Sequence, residues 1–286
     1  MRSGFVAVAG RPNVGKSTLV NALCGGKVAI VSDKPQTTRR RIFGIANGDD
    51  HQLVLVDLPG FQRPRDTLTE HMQRTVDASF EDVDAVLFVL DARERIGAGD
   101  RFIAGRVFAL GVPVVIALNK VDRLKPGHIA SQMAAAARLG EFHALHPVSA
   151  KTGDGVGELR EELAGLLAEG PAYFPTEQRT DLTPEVQIAE LVREKALHLT
   201  RDEVPHAVTV EVEEIDEKVV RAAVLVETES QKQILVGRGG AMIREIGVRA
   251  RPEIELLLGR RVFLELRVKV RPRWRRDEQL LERLGI

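Results

Sequence analysis

The residues best suited to chemistry stand near the start of the chain, in Gly10-Arg11-Pro12-Asn13-Val14-Gly15-Lys16-Ser17, followed by Thr18. Two glycines bracketing four residues, then a lysine and a hydroxyl, form a pattern that folds backbone N–H groups around phosphate oxygens. Lys16 would reach the β- and γ-phosphates, and the Ser17 hydroxyl would ligate Mg²⁺. The pattern needs a strand leading in and a helix opening from it, because the helix N-terminus adds unpaired N–H groups and a favourable dipole. By itself it leaves adenine and guanine nucleotides open.

Three further groups narrow the ligand. Asp57-Leu58-Pro59-Gly60 closes an apolar run; an acid there holds Mg²⁺ through water, and the Gly60 amide senses a γ-phosphate. Asn119-Lys120-Val121-Asp122 closes another, at the strand end where open α/β sheets bind ligands. Only guanine presents N1–H and the N2 amine side by side as donors, and Asp122 offers two acceptor oxygens to match. Asn119 can fix the loop and contact the base edge. Adenine would leave the Asp122 carboxylate unpaired, at a cost of at least ~1–3 kcal/mol. Ser149-Ala150-Lys151 follows a last strand and can offer a backbone N–H to guanine O6. GTP or GDP with Mg²⁺ is the expected ligand.

The elements that must position these groups are legible as alternating patterns. Phe5–Ala9, Leu53–Asp57, Ala85–Asp91 and Val114–Asn119 are continuous apolar runs, as in strands buried on both faces of a parallel sheet. Lys16–Cys24, Thr67–Phe80, Gly99–Leu110, His128–Leu139 and Val156–Ala168 carry helical patterns between them. Ile42–Asn47 and Gln52–Asp57, joined by Gly48-Asp49-Asp50, predict a hairpin with one antiparallel edge. Glu169–Pro184, with Gly170, Pro171, Pro175 and Pro184, resists both helix and strand and is read as the domain linker. Beyond it come a helix over Glu185–Leu199 opened by Thr183 and Pro184, and strands at Ala207–Glu214 and Val219–Thr228. A short helix near Gln231–Leu235 and one or two helices through Leu258 follow. A strand near Arg261–Val270 and a polar helix over Asp277–Leu284 close the chain.

With these motifs in order, the sequence resembles the translation-factor-related class of small GTPases. The resemblance places a first switch at Lys34-Pro35-Gln36-Thr37-Thr38-Arg39-Arg40-Arg41. Thr38 is its expected Mg²⁺ contact, with Thr37 as the alternative. The metal set is then Ser17, Thr38 and Asp57, and the catalytic set Lys16, Thr38 and Gly60. A Ras-type enzyme carries a glutamine after Gly60 to orient water; here the residue is Phe61, followed by Gln62. Slow intrinsic hydrolysis is expected, with water placed by backbone, another side chain or a bound partner. In several relatives an asparagine at the position of Asn13 helps bind K⁺, which adds K⁺ to the candidate cofactors; loop stabilisation is the equal alternative.

Composition bounds the rest. The chain has 286 residues, 41 basic and 41 acidic, and one cysteine, Cys24. About two domains of ~150 residues are expected. A single cysteine excludes an internal disulfide framework and fits a reducing compartment. No apolar run approaches the ~18 residues of a membrane span, so a soluble cytoplasmic protein is expected. The zero net charge hides an uneven distribution. Glu177–Gln231 holds 6 basic and 14 acidic residues, and Lys232–Arg276 holds 13 basic and 4 acidic.

The basic block contains Val236-Gly237-Arg238-Gly239-Gly240-Ala241-Met242-Ile243. A lone G-x-x-G is a weak signal, because glycines end helices everywhere. The surrounding order of helix, two strands, two helices and strand resembles a type II KH domain, whose G-x-x-G loop clamps about four nucleotides. Gly237, Arg238, Gly239 and Gly240 would form the clamp. Arg244, Arg249 and Arg251, with Arg260 and Arg261, would extend an electrostatic track. Trp274 lies among arginines, placed either to stack on a base or to pack the terminal helix.

The whole chain resembles the Era-type family of bacterial ribosome-associated GTPases. The matching segments are Gly10–Ser17, Pro35–Arg41, Val236–Gly247 and Val268–Glu278. The resemblance implies an α/β P-loop GTPase domain, a mostly parallel sheet with helices on both faces, over residues 1–169. A linker over 170–184 and an α+β type II KH domain over 185–286 would follow. It implies a monomer that binds the 3′ end region of small-subunit ribosomal RNA and the small ribosomal subunit, and assists its assembly. A basic surface of this kind also admits peripheral association with an anionic membrane face. A P-loop phosphotransferase using ATP leaves Asn119 and Asp122 unexplained, and a vestigial nucleotide domain would have lost some of the motifs.

Overall fold

The computed structural model describes residues 1–61 and 64–286. The chain divides into two compact units. One holds residues 1–31, 38–64 and 71–181; the other holds 182–286 together with the short segments Ser32–Thr37 and Arg65–Glu70.

The first unit is built on a six-stranded sheet. Its strands are β1 (Arg2–Ala9), β2 (Ile42–Asn47), β3 (His51–Asp57), β4 (Ala85–Asp91), β5 (Val114–Asn119) and β6 (Ala144–Val148). They lie in the order β2-β3-β1-β4-β5-β6, and only β2 with β3 is antiparallel. Alternation of side chains along β1 sends Val6 and Val8 to one face and Ala7 and Ala9 to the other. The first face is covered by α1 (Lys16–Leu23) and α5 (Val156–Gly165) through Leu19, Leu23, Leu159 and Leu163. The second face carries α3 (Ala98–Phe108) and α4 (Pro126–Ala136), through Ile103, Val107 and Ala136, and Val76 of α2 (Thr67–Ala78). The continuous apolar strands are needed because both faces are covered. β6 breaks that pattern: it is half-exposed and contains Pro147, which an edge strand tolerates. Cys24 is buried, and burial pushes its thiol up to about 12, so it is inert.

From Glu169 to Thr183 the stretch read as a linker holds no helix and only two isolated bridges, at Glu169 and Thr180. Most of it is nonetheless bound to β2 and β3. Ile45 N donates to Arg179 O and Phe43 N to Asp181. The buried Gln52 side chain accepts from Tyr173 N and Phe174 N and donates to Phe174 O. The bonds from Ile45 N and Phe43 N satisfy the outer edge of β2, where an open strand edge would invite non-native pairing.

In the second unit α6 (Pro184–Leu199) precedes a short helix, α7 (Val204–Ala207), and the strands β7 (Thr209–Ile215) and β8 (Val219–Val226). Then follow α8 (Glu229–Val236), α9 (Ala241–Leu258), β9 (Phe263–Val270) and α10 (Glu278–Arg283). The sheet order is β7-β8-β9, antiparallel then parallel. α7 occupies the place where the sequence pattern started a strand at Ala207. Thr228 and Gln231 form a reciprocal cap at the start of α8, which fixes where the helix begins. One continuous helix, α9, carries Pro252 in its interior. Trp274 is fully buried and donates from Nε1 to Ala207 O at 2.7 Å. It packs the terminal segment and is closed to base stacking. Among the described residues no helix is long and apolar enough to cross a membrane.

Candidate functional site

The carboxyl ends of β1, β3, β5 and β6 bring the motifs of the first unit together. The loop after β1 turns sharply at Gly15, where φ is 99° and a Cβ would stand 2.4 Å from Asn119 Nδ2. Glycine is therefore required both for the left-handed backbone and for the approach of the β5 loop. Asn13 also has a positive φ, 65°. Asn119 ties three loops: Nδ2 donates to Val14 O at 3.0 Å, and Oδ1 accepts from Lys120 N and Ala150 N at 2.8 and 3.0 Å. In this geometry the Ala150 amide holds Asn119. Ser149 Oγ donates to Asp122 Oδ1 at 2.8 Å, so a carboxylate with two acceptor oxygens is held at the rim. Lys151 is exposed beside it.

Lys16 is buried, with Nζ donating to the carbonyls of Gly10 and Arg11, both at 3.2 Å. Burial drives its pKa down to about 8, against the pull of Asp57. Asp57 is fully buried, and burial raises its pKa against Lys16, Ser17 and Thr38. Ser17 Oγ donates to Asp57 Oδ2 at 2.7 Å and lies 3.0 Å from Thr38 Oγ1. Asp57 Oδ1 is buried with no hydrogen-bond partner. Two hydroxyls and a carboxylate with one unused oxygen form a donor set of the hard-oxygen type that Mg²⁺ takes with its waters. Thr37, the alternative to Thr38, donates from Oγ1 to Lys34 O in its own turn.

Several candidate residues serve the site indirectly. The Arg11 side chain bonds Asp100 at 2.8 Å and Glu94 at 2.6 Å, so only its backbone belongs to the loop. Leu58 and Pro59 are buried, and Leu58 joins the core beneath the loop. Gly60 passes so close to Pro12 that a Cβ would stand 2.9 Å from its ring. Thr18 is half-buried in the first turn of α1. Phe61 stacks on Phe80 with centroids 5.9 Å apart and meets Arg106. Gln62 lies outside the described residues. Asp91 escaped the sequence reading: it pairs with Lys120 and Arg93, both at 2.7 Å. These hydrogen bonds overcome its burial and hold its pKa at about 2. Its position at the end of a buried strand was the available signal.

In the second unit the glycine loop joins α8 to α9. Gly237 has φ 69° and ψ 174°, and a Cβ there would meet Met242 at 2.8 Å. Gly239 and Gly240 also have positive φ and face open space. Arg238, Arg244 and Arg251 are exposed, and among the described residues they have no ion-pair partner. Arg249 pairs with Glu245 at 2.7 Å. Much of the acidic block is spent locally, Glu213 on Lys269 and Glu211 on Arg283. The glycine loop keeps its charge.

A family of 50S ribosome-binding GTPases matches residues 5–120, and the KH domain matches residues 203–275. The chain is also similar over its whole length to solved structures of Era. One is a point variant from Aquifex aeolicus bound to GDP·AlF4⁻; another is a complex with MgGDPNP and nucleotides 1506–1542 of 16S ribosomal RNA. Each shares 38% identity with a TM-score of 0.96, covering 100% of this chain and 99% of its own.

The chain belongs to the Era family of GTPases.

Membership fits both halves of the chain: a P-loop GTPase domain with a mostly parallel sheet, then a KH domain. Family membership makes the chain a GTPase.

Proposed function

We propose that this chain is a GTP-hydrolysing switch that binds the 3′ end region of small-subunit ribosomal RNA and assists assembly of the small ribosomal subunit. The buried cluster of Lys16, Thr38 and Asp57 with Ser17, together with the Asp122 carboxylate held by Ser149 after β5 of the same sheet, carries the nucleotide half of this reading. Gly10–Thr18 cradles the phosphates, Asn119, Lys120 and Asp122 read guanine, and Ser149–Lys151 support them. Mg²⁺, held by Ser17 and Thr38 and by Asp57 through water, supplies positive charge to the β- and γ-phosphate oxygens. Lys16, Thr38 and Gly60 sense the γ-phosphate. The exposed Gly237–Gly240 loop with Arg238, Arg244, Arg249 and Arg251 receives RNA, as the Era complex with 16S ribosomal RNA supports. The domains proposed are residues 1–169 and 185–286, with 170–184 connecting them.

The protein is proposed to work as a ribosome-associated cytoplasmic monomer. The same arginines give it peripheral contact with an anionic membrane face. Asn13 is proposed to help hold K⁺ beside the phosphates; equal turnover in K⁺ and Na⁺ buffers removes that ion from the scheme. Phe61, packed on Phe80, takes no part in orienting water, so Phe61→Ala is expected to leave turnover nearly unaltered. A collapse in turnover would assign it a direct role.

The deciding experiment crosslinks RNA to the protein with a GTP analogue or GDP bound and sequences the attached fragments. Fragments from the 3′ end of small-subunit RNA, dependent on the GTP analogue, are expected. Fragments scattered over unrelated RNA would overturn the RNA assignment.

A further inference from the structure

Within the first unit, α3 and α4 both cover the second face of the sheet, and a groove of about 490 Å³ opens between them. Arg95, Arg101 and Arg138 line it, with His128, Ser131 and Gln132. All three arginines are exposed, and among the described residues none of their guanidinium groups has an ion-pair partner. Among those residues, no acidic side chain lines the groove. The spacing along α4 builds this wall. His128, Ser131, Gln132 and Ala135 stand at i, i+3, i+4 and i+7 and share one face. Arg138 follows in the turn beyond the helix. Gln132 Nε2 donates to Glu94 O at 3.3 Å, which ties α4 to the segment that carries Arg95.

The charge of this region is one-sided. Residues 93–140 hold 8 basic and 3 acidic residues, whereas residues 141–169 hold 2 basic and 6 acidic. The three acids are already engaged: Glu94 and Asp100 on Arg11, Asp122 on Ser149. The groove arginines are left unopposed, and like charges gathered on one groove repel; a polyanion relieves that repulsion. The cations follow a line, since α4 rises about 10 Å from His128 to Ala135 and Arg138 lies beyond. None of the polar groups named on the groove is buried. A compact anion asks for converging, preorganised donors, as in the Gly10–Ser17 loop. A line of exposed guanidinium forks suits successive phosphates of a chain.

We propose that the α3–α4 groove is a second RNA-binding surface, on the GTPase unit itself, which takes backbone phosphates of small-subunit ribosomal RNA through Arg95, Arg101 and Arg138. This rests on the reading of that RNA as the partner and adds a contact separate from the Gly237–Gly240 loop. Phosphate contacts of this kind contribute affinity and orientation and read no base sequence. None of Lys16, Thr38, Asp57 and Asp122 lines the groove, so RNA and nucleotide occupy different sites on the unit.

The test measures binding of the full chain, with a GTP analogue bound, to a transcript of small-subunit ribosomal RNA by filter binding over a range of KCl concentrations. One variant combines Arg95→Gln, Arg101→Gln and Arg138→Gln. A second, Ala135→Trp, fills the groove and keeps every charge. A third is Arg238→Asp with Gly239→Asp. The triple variant is expected to weaken RNA binding about tenfold at moderate salt and to flatten the slope of log affinity against log salt by about two. Ala135→Trp is expected to lose RNA affinity as well, though less. GDP affinity and basal GTP hydrolysis are expected to stay unchanged in both. If both bind RNA as the parent does while Arg238→Asp with Gly239→Asp does not, the groove is a solvated surface and the inference falls alone. If the triple variant loses affinity and Ala135→Trp loses none, net charge rather than the groove is responsible, and the inference is overturned. If the triple variant keeps RNA but no longer sediments with phosphatidylglycerol vesicles that carry the parent down, the groove faces an anionic membrane and the RNA assignment is wrong. If the parent chain has no affinity for the transcript, the RNA reading fails and takes the inference with it. Should Ala135→Trp not fold, Ser131→Trp, at an exposed position on the same face, is judged by the same measure.

Discussion

Two glycine loops in this chain each open a helix toward phosphate, and they are built in opposite ways. The Gly10–Ser17 loop is locked from below and beside. Lys16 is buried against its own carbonyls, Asn119 stitches it to two other loops, and Asp57 lies beneath it. The Gly237–Gly240 loop has left-handed glycines facing open space and exposed arginines around them. The first is a preorganised cavity for one compact ligand, whose polar groups must already be paired or aimed. The second is an open cradle for a polymer, where affinity comes from charge and close backbone approach. Similar local motifs thus serve discrete and extended partners, according to how much of the rest of the fold is spent holding them.

That contrast can be broken most severely at Asp122. Asp122→Asn turns one acceptor into a donor facing guanine N1–H or N2. GTP affinity is expected to fall about a thousandfold, with a gain for xanthine nucleotides, read by competition titration. Unchanged GTP binding would remove Asp122 from base reading. The open loop should yield to charge alone. Arg238→Asp with Gly239→Asp is expected to cut RNA affinity about a hundredfold while basal GTP hydrolysis stays the same, measured by filter binding and phosphate release. Surviving RNA affinity would move the clamp elsewhere.

The smallest effect is one of pH and is confined to the locked loop. Without nucleotide, the buried Lys16 titrates near 8, below its ordinary 10.5. Below about pH 8 it is charged in both folded and unfolded chains, and its burial penalises the fold in full. Between about 8 and 10.5 the unfolded chain binds more protons than the folded one, so this contribution to stability rises with pH. The melting temperature of the nucleotide-free chain relative to Lys16→Met is expected to climb over that window. A flat difference would place Lys16 in a wetter setting than the structure gives it.

Much of this was legible in the sequence because the signals are local. The phosphate loop announces itself by glycine spacing, the parallel sheet by continuous apolar runs, and the guanine preference by the acceptor chemistry of one carboxylate. The G-x-x-G loop was legible only in company with its flanking elements and the charge of its block. β6 was the least legible strand, since an exposed edge holding His146 and Pro147 lacks the pattern of its neighbours. The start of β7 was misplaced by two residues because Ala207 and Val208 run on apolar into the strand, while Ala207 closes the helical turn Val204–Ala207. Trp274 could be read for RNA or, in preference, for packing the terminal helix; its full burial and the Ala207 carbonyl in reach of its indole N–H decide for packing.

By itself, then, the sequence determined the backbone turns, the element order and the chemistry each motif can offer, since these depend on neighbours a few residues away. Tertiary structure decided which groups meet. Asn119 reaches Val14 across 105 residues, Arg193 grips Thr37 across 156 and Arg275 holds Asp66 across 209. No local pattern encodes such pairings. They follow from the sheet order and from α6 and the terminal segment folding back onto short pieces of chain near the start. A buried arginine is placed by the whole fold that desolvates it, and only that fold reveals which carbonyl it serves.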